Sequence, residues 1–294
     1  MIAHNDSIVV SPNVTGRPWA RYLCPLCGDG HPRDASHRSL AVGSRGKVIC
    51  HRCGFETWVN APTTAIPCTS ISSENENELR QKTAAARDLW TSSVSLMSDA
   101  AAPARSYLER ERGLDAQALH ALDVAFVYRW PWPLVGPTIA FAMRDQRGDL
   151  VALQGRSTTP NVVCKHPAIG AKKLGVYSTT SALDTRPIGL CESPLDACSL
   201  HVAGLDAIAC GGTSFPRWLP GALLMNHSVI VATDADDAGD RFARELRNSL
   251  LRAGIEPRRI VRLRPSRSKD ANAELVADPA RFRADVRCAI GDQE

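Results

Sequence analysis

The 294-residue sequence has no apolar run near the roughly 20 residues that span a bilayer; its best stretches, 221–225 and 229–232, are far shorter. No basic segment precedes an apolar core in residues 1–10, which argues against a secretory signal. Charge of one sign is scarce: the formal net charge is +4, so total electrostatics does not announce a nucleic-acid binder. Internal repeats and coiled-coil heptads are missing, as is any Ser- or Cys-centred nucleophile constellation. What is present is an ordinary globular balance, 44% apolar and 22% charged, in a length that suits about two domains. Ten cysteines in a chain this long do not read as a secreted disulfide scaffold. They point to a reduced cytosol, with some thiolates on metal.

Four of the cysteines form two knuckles, Cys24-Pro-Leu-Cys27 and Cys50-His-Arg-Cys53, each followed by glycine (Gly28, Gly54). Each Cys-x-x-Cys pair wraps one face of a tetrahedral Zn²⁺, and a site closed by four sulfurs is structural, not catalytic. Between them, Ser39-Leu-Ala-Val, Gly43-Ser-Arg-Gly46 and Lys47-Val-Ile read as a hairpin. Arg17, Trp19, Arg21, Tyr22, Arg38, Lys47, Arg52, Phe55 and Trp58 interleave cations with aromatics. That composition suits single-stranded nucleic acid, with a solvated basic ribbon as the lesser alternative. Cys68, Cys164, Cys191, Cys198, Cys210 and Cys288 lack paired spacing and read as small buried hydrophobes.

Residues 61–78, rich in Pro, Ser, Thr and Asn, form a linker between a 1–60 ribbon domain and the rest. Helices are expected at 79–99, 103–112 and 115–122. Short strands follow, including 138–143 and 150–154, so that 79–186 reads as a mixed α+β subdomain. Over 187–294 strands (188–191, 207–210, 228–233, 260–263) alternate with helices (194–203, 214–219, 239–253, 270–277, 279–289). Such alternation predicts an α/β domain, a parallel sheet with flanking helices.

In such a sheet reactive groups gather at the carboxyl ends of strands. The first strand ends in Glu192, with Asp196 one turn later; the third ends in Asp234-Ala-Asp236-Asp237; the fourth leads to Lys269-Asp270-Ala-Asn272. Hard oxygen ligands brought together from three strands suit Mg²⁺ or Mn²⁺. Asp237 and Asp240 read as helix-start acids. Residues 241–269 hold nine arginines and Lys269 against Glu245 and Glu256. Arg241, Arg244 and Arg247 share one face of a helix whose apolar face is Phe242, Leu246 and Leu250. That stripe fits phosphates or a solvated face.

Glu192-x-x-x-Asp196 after one strand and Asp234-x-Asp236 after another resemble the TOPRIM domain of bacterial primases, topoisomerases and related nucleases. An upstream four-cysteine zinc ribbon narrows the resemblance to the bacterial and phage (DnaG-like) primases. Tyr107-Leu-Glu-Arg-Glu-Arg112-Gly-Leu is similar to the helix opening the primase core. Residues 139–154 are similar to its strand pair, followed by Gly155-Arg156 and Lys165. Residues Lys172 to Tyr177 resemble the stretch before TOPRIM, and Lys269-Asp270-x-Asn272 its last acidic motif. The sequence departs from the pattern with Ser193-Pro194 where glycine is usual after the glutamate, and with Asn272 where an acid is common.

The resemblance implies a DNA primase that makes short RNA primers on single-stranded DNA by metal-dependent nucleotidyl transfer. Asp234 and Asp236 would bind Mg²⁺ or Mn²⁺, Glu192 would coordinate or act as acid/base, and Asp270 would be an outer ligand. Arg112, Arg156, Lys165, Lys172 and Lys269 would meet template or nucleotide, and Cys24, Cys27, Cys50 and Cys53 would hold zinc. Its partners would be template DNA, nucleoside triphosphates and a separate replicative helicase in a bacterial cytoplasm, with no membrane. The short distance after Asn272 leaves no helicase domain, and the compact form leans to a phage or mobile element. A TOPRIM nuclease and a non-catalytic zinc-finger recombination mediator are the alternatives. A topoisomerase is disfavoured, since Tyr22, Tyr107, Tyr128 and Tyr177 supply no separate tyrosine domain.

Overall fold

The computed structural model describes four strands between residues 19 and 58, then residues 76–291 except 132–134, 161, 163, 181–185 and 225–227. The chain divides into two units, Met1–Glu76 and Asn77–Glu294. In the first, β1 (Trp19–Tyr22), β2 (Leu40–Gly43), β3 (Lys47–Cys50) and β4 (Glu56–Trp58) form an antiparallel sheet in that order. The expected hairpin is β2–β3, with Leu40 opposite Cys50. Cys24, Cys27, Cys53 and Cys68 lie outside the described residues, and with them the closed zinc site.

The first helix, α1 (Glu76–Thr91), begins inside the expected linker and stops well short of residue 99. Two hydroxyls end it: Ser92 Oγ donates to Leu89 C=O (2.9 Å) and Ser93 Oγ to Trp90 C=O (2.6 Å). Serine hydroxyls there compete for the last helical carbonyls. The chain then enters β5 (Val94–Ser95). Next comes α2 (Ala102–Arg112), with Pro103 in its first turn and Gly113 closing it in the left-handed conformation (φ 63°). A short α3 (Ala116–Leu119) starts where Asp115 accepts from the Gln117 N–H (2.9 Å). It covers less than the expected 115–122.

Strands β6 (Val124–Val127), β7 (Thr138–Arg144), β8 (Leu150–Ser157) and β9 (Ala168–Gly170) join β5 in one antiparallel sheet, order β5-β6-β7-β8-β9. Both faces are covered. Along β7, Ile139, Phe141 and Met143 enter one core cluster while Ala140 and Ala142 enter another, the period-2 alternation of a strand.

The remaining elements are β10 (Tyr177–Ser178), β11 (Ile188–Cys191), α4 (Pro194–Val202), β12 (Ala207–Ala209), α5 (Leu219–Ala222), β13 (Val229–Val231), α6 (Asp237–Ala253), β14 (Ile260–Arg262), α7 (Ala271–Ala277) and α8 (Pro279–Gly291). Their sheet has the order β10-β12-β11-β13-β14. The four strands from β11 to β14 are parallel, as expected; β10 is antiparallel to β12, so the sheet is mixed. β10 follows directly on the β5–β9 sheet. Arg144 N–H donates to Val176 C=O (2.8 Å) and Val176 N–H to Arg144 C=O (2.9 Å), which ties β7 to the residue before β10. The expected 214–219 helix is displaced to α5, because Pro216 opens only a turn (Leu219 N–H to Pro216 C=O, 3.1 Å) and Pro220 suits a first turn.

Cys191, Cys198 and Cys210 are buried as expected, and burial pushes the Cys198 and Cys210 thiols up to about 12. Cys288, by contrast, is exposed. Among the described residues no helix is long and apolar enough to cross a membrane.

Candidate active site

At the carboxyl edge of the β10–β14 sheet, three helices start close together. Ser193 caps α4, accepting from the Asp196 N–H (3.3 Å), with Pro194 in the first turn. The Ser193-Pro194 departure therefore replaces a glycine turn by a capped helix start. Asp236 caps α6 through Oδ1, which accepts from the Gly239 N–H (2.9 Å), and Asp270 caps α7 through Oδ1 from the Ala273 N–H (2.8 Å). Each start leaves N–H groups and positive dipole ends near this edge.

The carboxylates converge there. Glu192 Oε1 accepts the Asp234 N–H (3.1 Å), which pins the first strand end to the third. Lys269 Nζ lies 3.4 Å from Asp234 Oδ2 and 3.8 Å from Asp236 Oδ2. Burial, then the Asp234 charge, raises Glu192 to about 7. Burial also raises Asp234, opposed by Lys269; Asp234 in turn raises Lys269. Asp196 is almost fully buried, and burial followed by the Asp270 charge raises it to about 7. It accepts from Ser193 Oγ at Oδ2 (2.6 Å) and from the Asn272 N–H at Oδ1 (3.0 Å).

Among the described residues no group of three His, Cys, Asp or Glu side chains is arranged to hold a metal ion. The reason is visible in the partners: Asp236 is engaged in capping, Glu192 is turned to a backbone N–H, and the Lys269 ammonium takes the position between Asp234 and Asp236. The donor set itself is all hard oxygen; burial first, and neighbouring carboxylate charge after it, raise Glu192 and Asp234, and a bound cation favours their ionised form.

Opposite the acids stands a wall of cations from α2 and the β5–β9 sheet with the segment after it. Tyr107, on α2, is buried. Its hydroxyl accepts from Arg112 Nε (2.7 Å) and Arg156 Nε (2.6 Å), and both guanidinium groups lie over its ring (5.0 and 5.8 Å to the centroid). One tyrosine thus holds two arginines together. Arg156 Nη1 donates to His166 Nε2 (2.8 Å). Burial, then Arg156, Arg112 and Lys165, pushes His166 down to about 4, so it is a neutral imidazole near neutral pH. Lys172 Nζ donates to Gly211 C=O (2.5 Å) and Gln154 Oε1 (3.4 Å), and burial lowers it.

Between wall and acids lies a cavity of about 530 Å³. Arg112, Arg156, Lys165, Lys172 and Lys269 line it, as do Glu192, Asp234 and Asp270. Of the expected catalytic acids and the cations Arg112, Arg156, Lys165, Lys172 and Lys269, Asp236 alone is not in the lining; its Oδ2 lies 3.8 Å from Lys269 Nζ.

Several residues outside the expected set build this arrangement. Asn272 is buried; its Nδ2 donates to Arg112 C=O and Ser199 Oγ (both 2.9 Å), and its Oδ1 accepts from Arg112 Nη1 (3.4 Å). An amide, which donates and accepts, joins α2 to α7 where an acid would only accept. Glu274 Oε1 accepts three N–H groups, from Ser266 (2.7 Å), Arg267 (2.6 Å) and Ser268 (3.0 Å), and so shapes the turn before Lys269. Burial alone would raise Glu274, but those bonds hold it below the usual carboxylate range. A Cβ on Gly239 would stand 2.2 Å from Asp234 O, so only glycine lets α6 start against the Asp234 loop. No sequence signal marks His166 or Glu274. Asp240 is more than a helix-start acid, since it pairs with Arg262 (3.3 Å) and Arg264 (3.2 Å).

Comparison with known proteins agrees with this geometry. Residues 189–275 match the Toprim-like family. A DnaG primase catalytic domain bound to single-stranded DNA superposes with a TM-score of 0.57 at 20% identity, over 74% of this chain and 81% of that one. The zinc-binding and RNA polymerase domains of Aquifex aeolicus primase give 0.54 at 16% identity, over 94% and 79%. The RNA polymerase domain of Mycobacterium tuberculosis primase DnaG gives 0.52 at 19%, over 74% and 83%. A search of the curated proteins finds no match. The class defined by fold and site is a Toprim-like α/β domain joined to an antiparallel subdomain. Its architecture is that of the DnaG-type primase catalytic core.

Proposed function

We propose that the protein is a DNA primase that joins nucleoside triphosphates into short RNA primers on a single-stranded DNA template. The observation that carries the reading is the cavity of about 530 Å³, walled by cations on one side and edged by carboxylates on the other. Phosphoryl and nucleotidyl transfer need charge placed around phosphate oxygens more than covalent chemistry from the protein. A nuclease shares the acids, but neither it nor a mediator needs the paired Arg112–Tyr107–Arg156 wall.

In this reading a 3′-hydroxyl attacks the α-phosphate of the incoming nucleotide and pyrophosphate leaves. Arg112 and Arg156, held in place by Tyr107, donate to the triphosphate, with Lys165 and Lys172 beside them. Glu192, fixed at Oε1 by the Asp234 N–H, takes the hydroxyl proton at Oε2. Asp234 and Asp236 would hold Mg²⁺ or Mn²⁺, with Asp270 outside them; the ion supplies neutralisation of phosphate charge. Lys269 neutralises the two carboxylates when they hold no divalent ion.

Cys24, Cys27, Cys50 and Cys53 would hold one structural Zn²⁺ in residues 1–60 and present that ribbon to template DNA. Residues 61–78 would link it to a 79–186 subdomain and a 187–294 TOPRIM domain. A separate replicative helicase, a bacterial cytoplasm and a phage or mobile-element origin complete the reading. Its test is incubation with the four nucleoside triphosphates, Mg²⁺ or Mn²⁺ and mixed single-stranded templates. Short labelled RNA products are expected; their absence with both metals, while DNA is still bound, favours the mediator. Elemental analysis is expected to give one zinc per chain, and its loss on chelation should unfold the ribbon without melting residues 77–294.

A further inference from the structure

A second cavity, of about 630 Å³, opens on the β10–β14 sheet, between α6 and β14. Ala243 and Ile260 give it an aliphatic floor on the α6 face, Val261 turns with Leu263 to the opposite face of β14, and Arg241, Arg244 and Arg247 form a rim along α6. Arg262 and Arg264 also line it, but both are committed to Asp240. The three rim arginines have no hydrogen-bond or ion-pair partner among the described residues, and all three are exposed. Nothing in the nucleotidyl-transfer reading uses them.

The floor meets an open sheet edge. β14 pairs only with β13, and no other strand lies beside it among the described residues. Leu263 N–H donates inward to Val231 C=O (3.0 Å). Strand alternation therefore turns the N–H and C=O of Arg262 outward, where an added strand would meet them. Three features now coincide: an unpaired edge, an aliphatic floor and a row of unpartnered guanidinium groups. Nucleic acid would use the arginines alone. Among the described residues no aromatic side chain lines the cavity to stack a base, and a sugar–phosphate chain cannot continue a sheet. A peptide uses the edge and the arginines together, since main-chain bonds give affinity at the edge and alternate side chains reach the two faces beside it.

We propose that this cavity docks an extended acidic peptide segment of a partner protein, which adds to β14 as an edge strand. Its carboxylates face the α6 side and meet Arg241, Arg244 and Arg247, and the alternate apolar side chains turn to the opposite face, beside Val261 and Leu263. Same-side residues of a strand recur about every 7 Å, and arginines three apart on a helix rise about 4.5 Å per step, a mismatch that long guanidinium side chains absorb.

The test uses the full chain and a fluorescein-labelled ten-residue peptide alternating Asp with Ile, read by anisotropy. An oligothymidylate is measured in parallel. Arg244→Glu with Arg247→Glu is expected to weaken the peptide at least about tenfold and to leave oligothymidylate within about twofold. Arg244→Gln with Arg247→Gln, which only removes charge, should weaken the peptide in the same direction with an unchanged melting curve. Methylating the peptide's edge-facing amides should weaken it about tenfold as well, because the strand bonds are lost. Absence of peptide binding by the unmodified protein would overturn the proposal. So would loss of oligothymidylate affinity in place of peptide affinity, which assigns the groove to nucleic acid. Equal binding of a blocked peptide, five Asp then five Ile, would also overturn it by showing charge adhesion without register.

Discussion

The two sheets of residues 77–294 contribute opposite charge to one cavity. The antiparallel sheet and α2 bring Arg112, Arg156, Lys165 and Lys172, whereas the mixed sheet brings Glu192, Asp234 and Asp270 at its carboxyl edge, with Lys269 as its one cation there. The two sides are also held by different means. On the cationic side, side chains hold side chains: the Tyr107 hydroxyl gathers two guanidinium groups, and His166 takes a further donor from Arg156. On the acidic side, backbone holds side chains: Asp236 and Asp270 are caps, Glu192 is fixed by an N–H, and Glu274 by three. Charge that must meet a variable phosphate is set on long side chains, while charge that must stay crowded is fixed by main chain. Burial, and then the Asp234 charge, raises Glu192 to about 7.

The largest effect should come from removing charge on the acidic side. Asp234→Asn keeps the volume but removes a carboxylate beside Glu192 and Lys269. Primer synthesis is expected to fall by about a thousandfold, near 4 kcal/mol of transition-state stabilisation, while single-stranded DNA binding stays within about twofold. Wild-type synthesis in this variant would break the assignment of the acidic side to catalysis.

Gly239→Ala tests whether main chain is what holds the acids. Its Cβ would stand 2.2 Å from Asp234 O, a backbone atom with little room to yield. A loss of at least about tenfold in synthesis, with about 2 kcal/mol of stability, is expected from activity assays and urea melts. An unchanged rate would mean that the Asp234 loop tolerates displacement.

On the cationic side, Tyr107→Phe keeps the ring beneath both arginines and removes only the shared acceptor. Charged hydrogen bonds of this kind contribute about 1.5–3 kcal/mol each, though water can replace part of it in an open cavity. KM for nucleoside triphosphate is expected to rise about tenfold with kcat little changed. Equal loss in kcat instead would place the pair in the transition state and blur the division between the two sides.

The last effect falls on folding and not on catalysis, as a pH dependence of stability. Asp196 is raised from an ordinary 3.8 to about 7, so the folded protein keeps a proton that the unfolded chain releases above about 4. Its contribution is therefore most favourable below pH 4 and is lost as pH rises toward 7. The slope is about 1.4 kcal/mol per pH unit between those values. Asp196→Asn, which still accepts from the Asn272 N–H, should flatten that part of the stability profile in melts from pH 4 to 8. An identical slope in both proteins would show that Asp196 is already ionised in the native state.

The sequence alone determined the acidic side. A strand that ends in Glu192, another in Asp234-x-Asp236 and a third leading to Asp270 must bring their ends to one edge when the strands are parallel, because successive crossovers return each strand in the same direction. It also determined the apolar face of α6, where Phe242, Leu246 and Leu250 are buried as their spacing requires. Local hydroxyls decided what periodicity overstated: Ser92 and Ser93 end α1 at Thr91. Only the tertiary structure could assign Asn272, Glu274, Tyr107 and His166. Their roles depend on partners far away in sequence or on a loop's final path, as when Asn272 Nδ2 meets the carbonyl of Arg112, 160 residues earlier. Strand direction and helix period are written in neighbouring residues, whereas which buried amide finds which carbonyl is settled only when two separately patterned sheets have packed together.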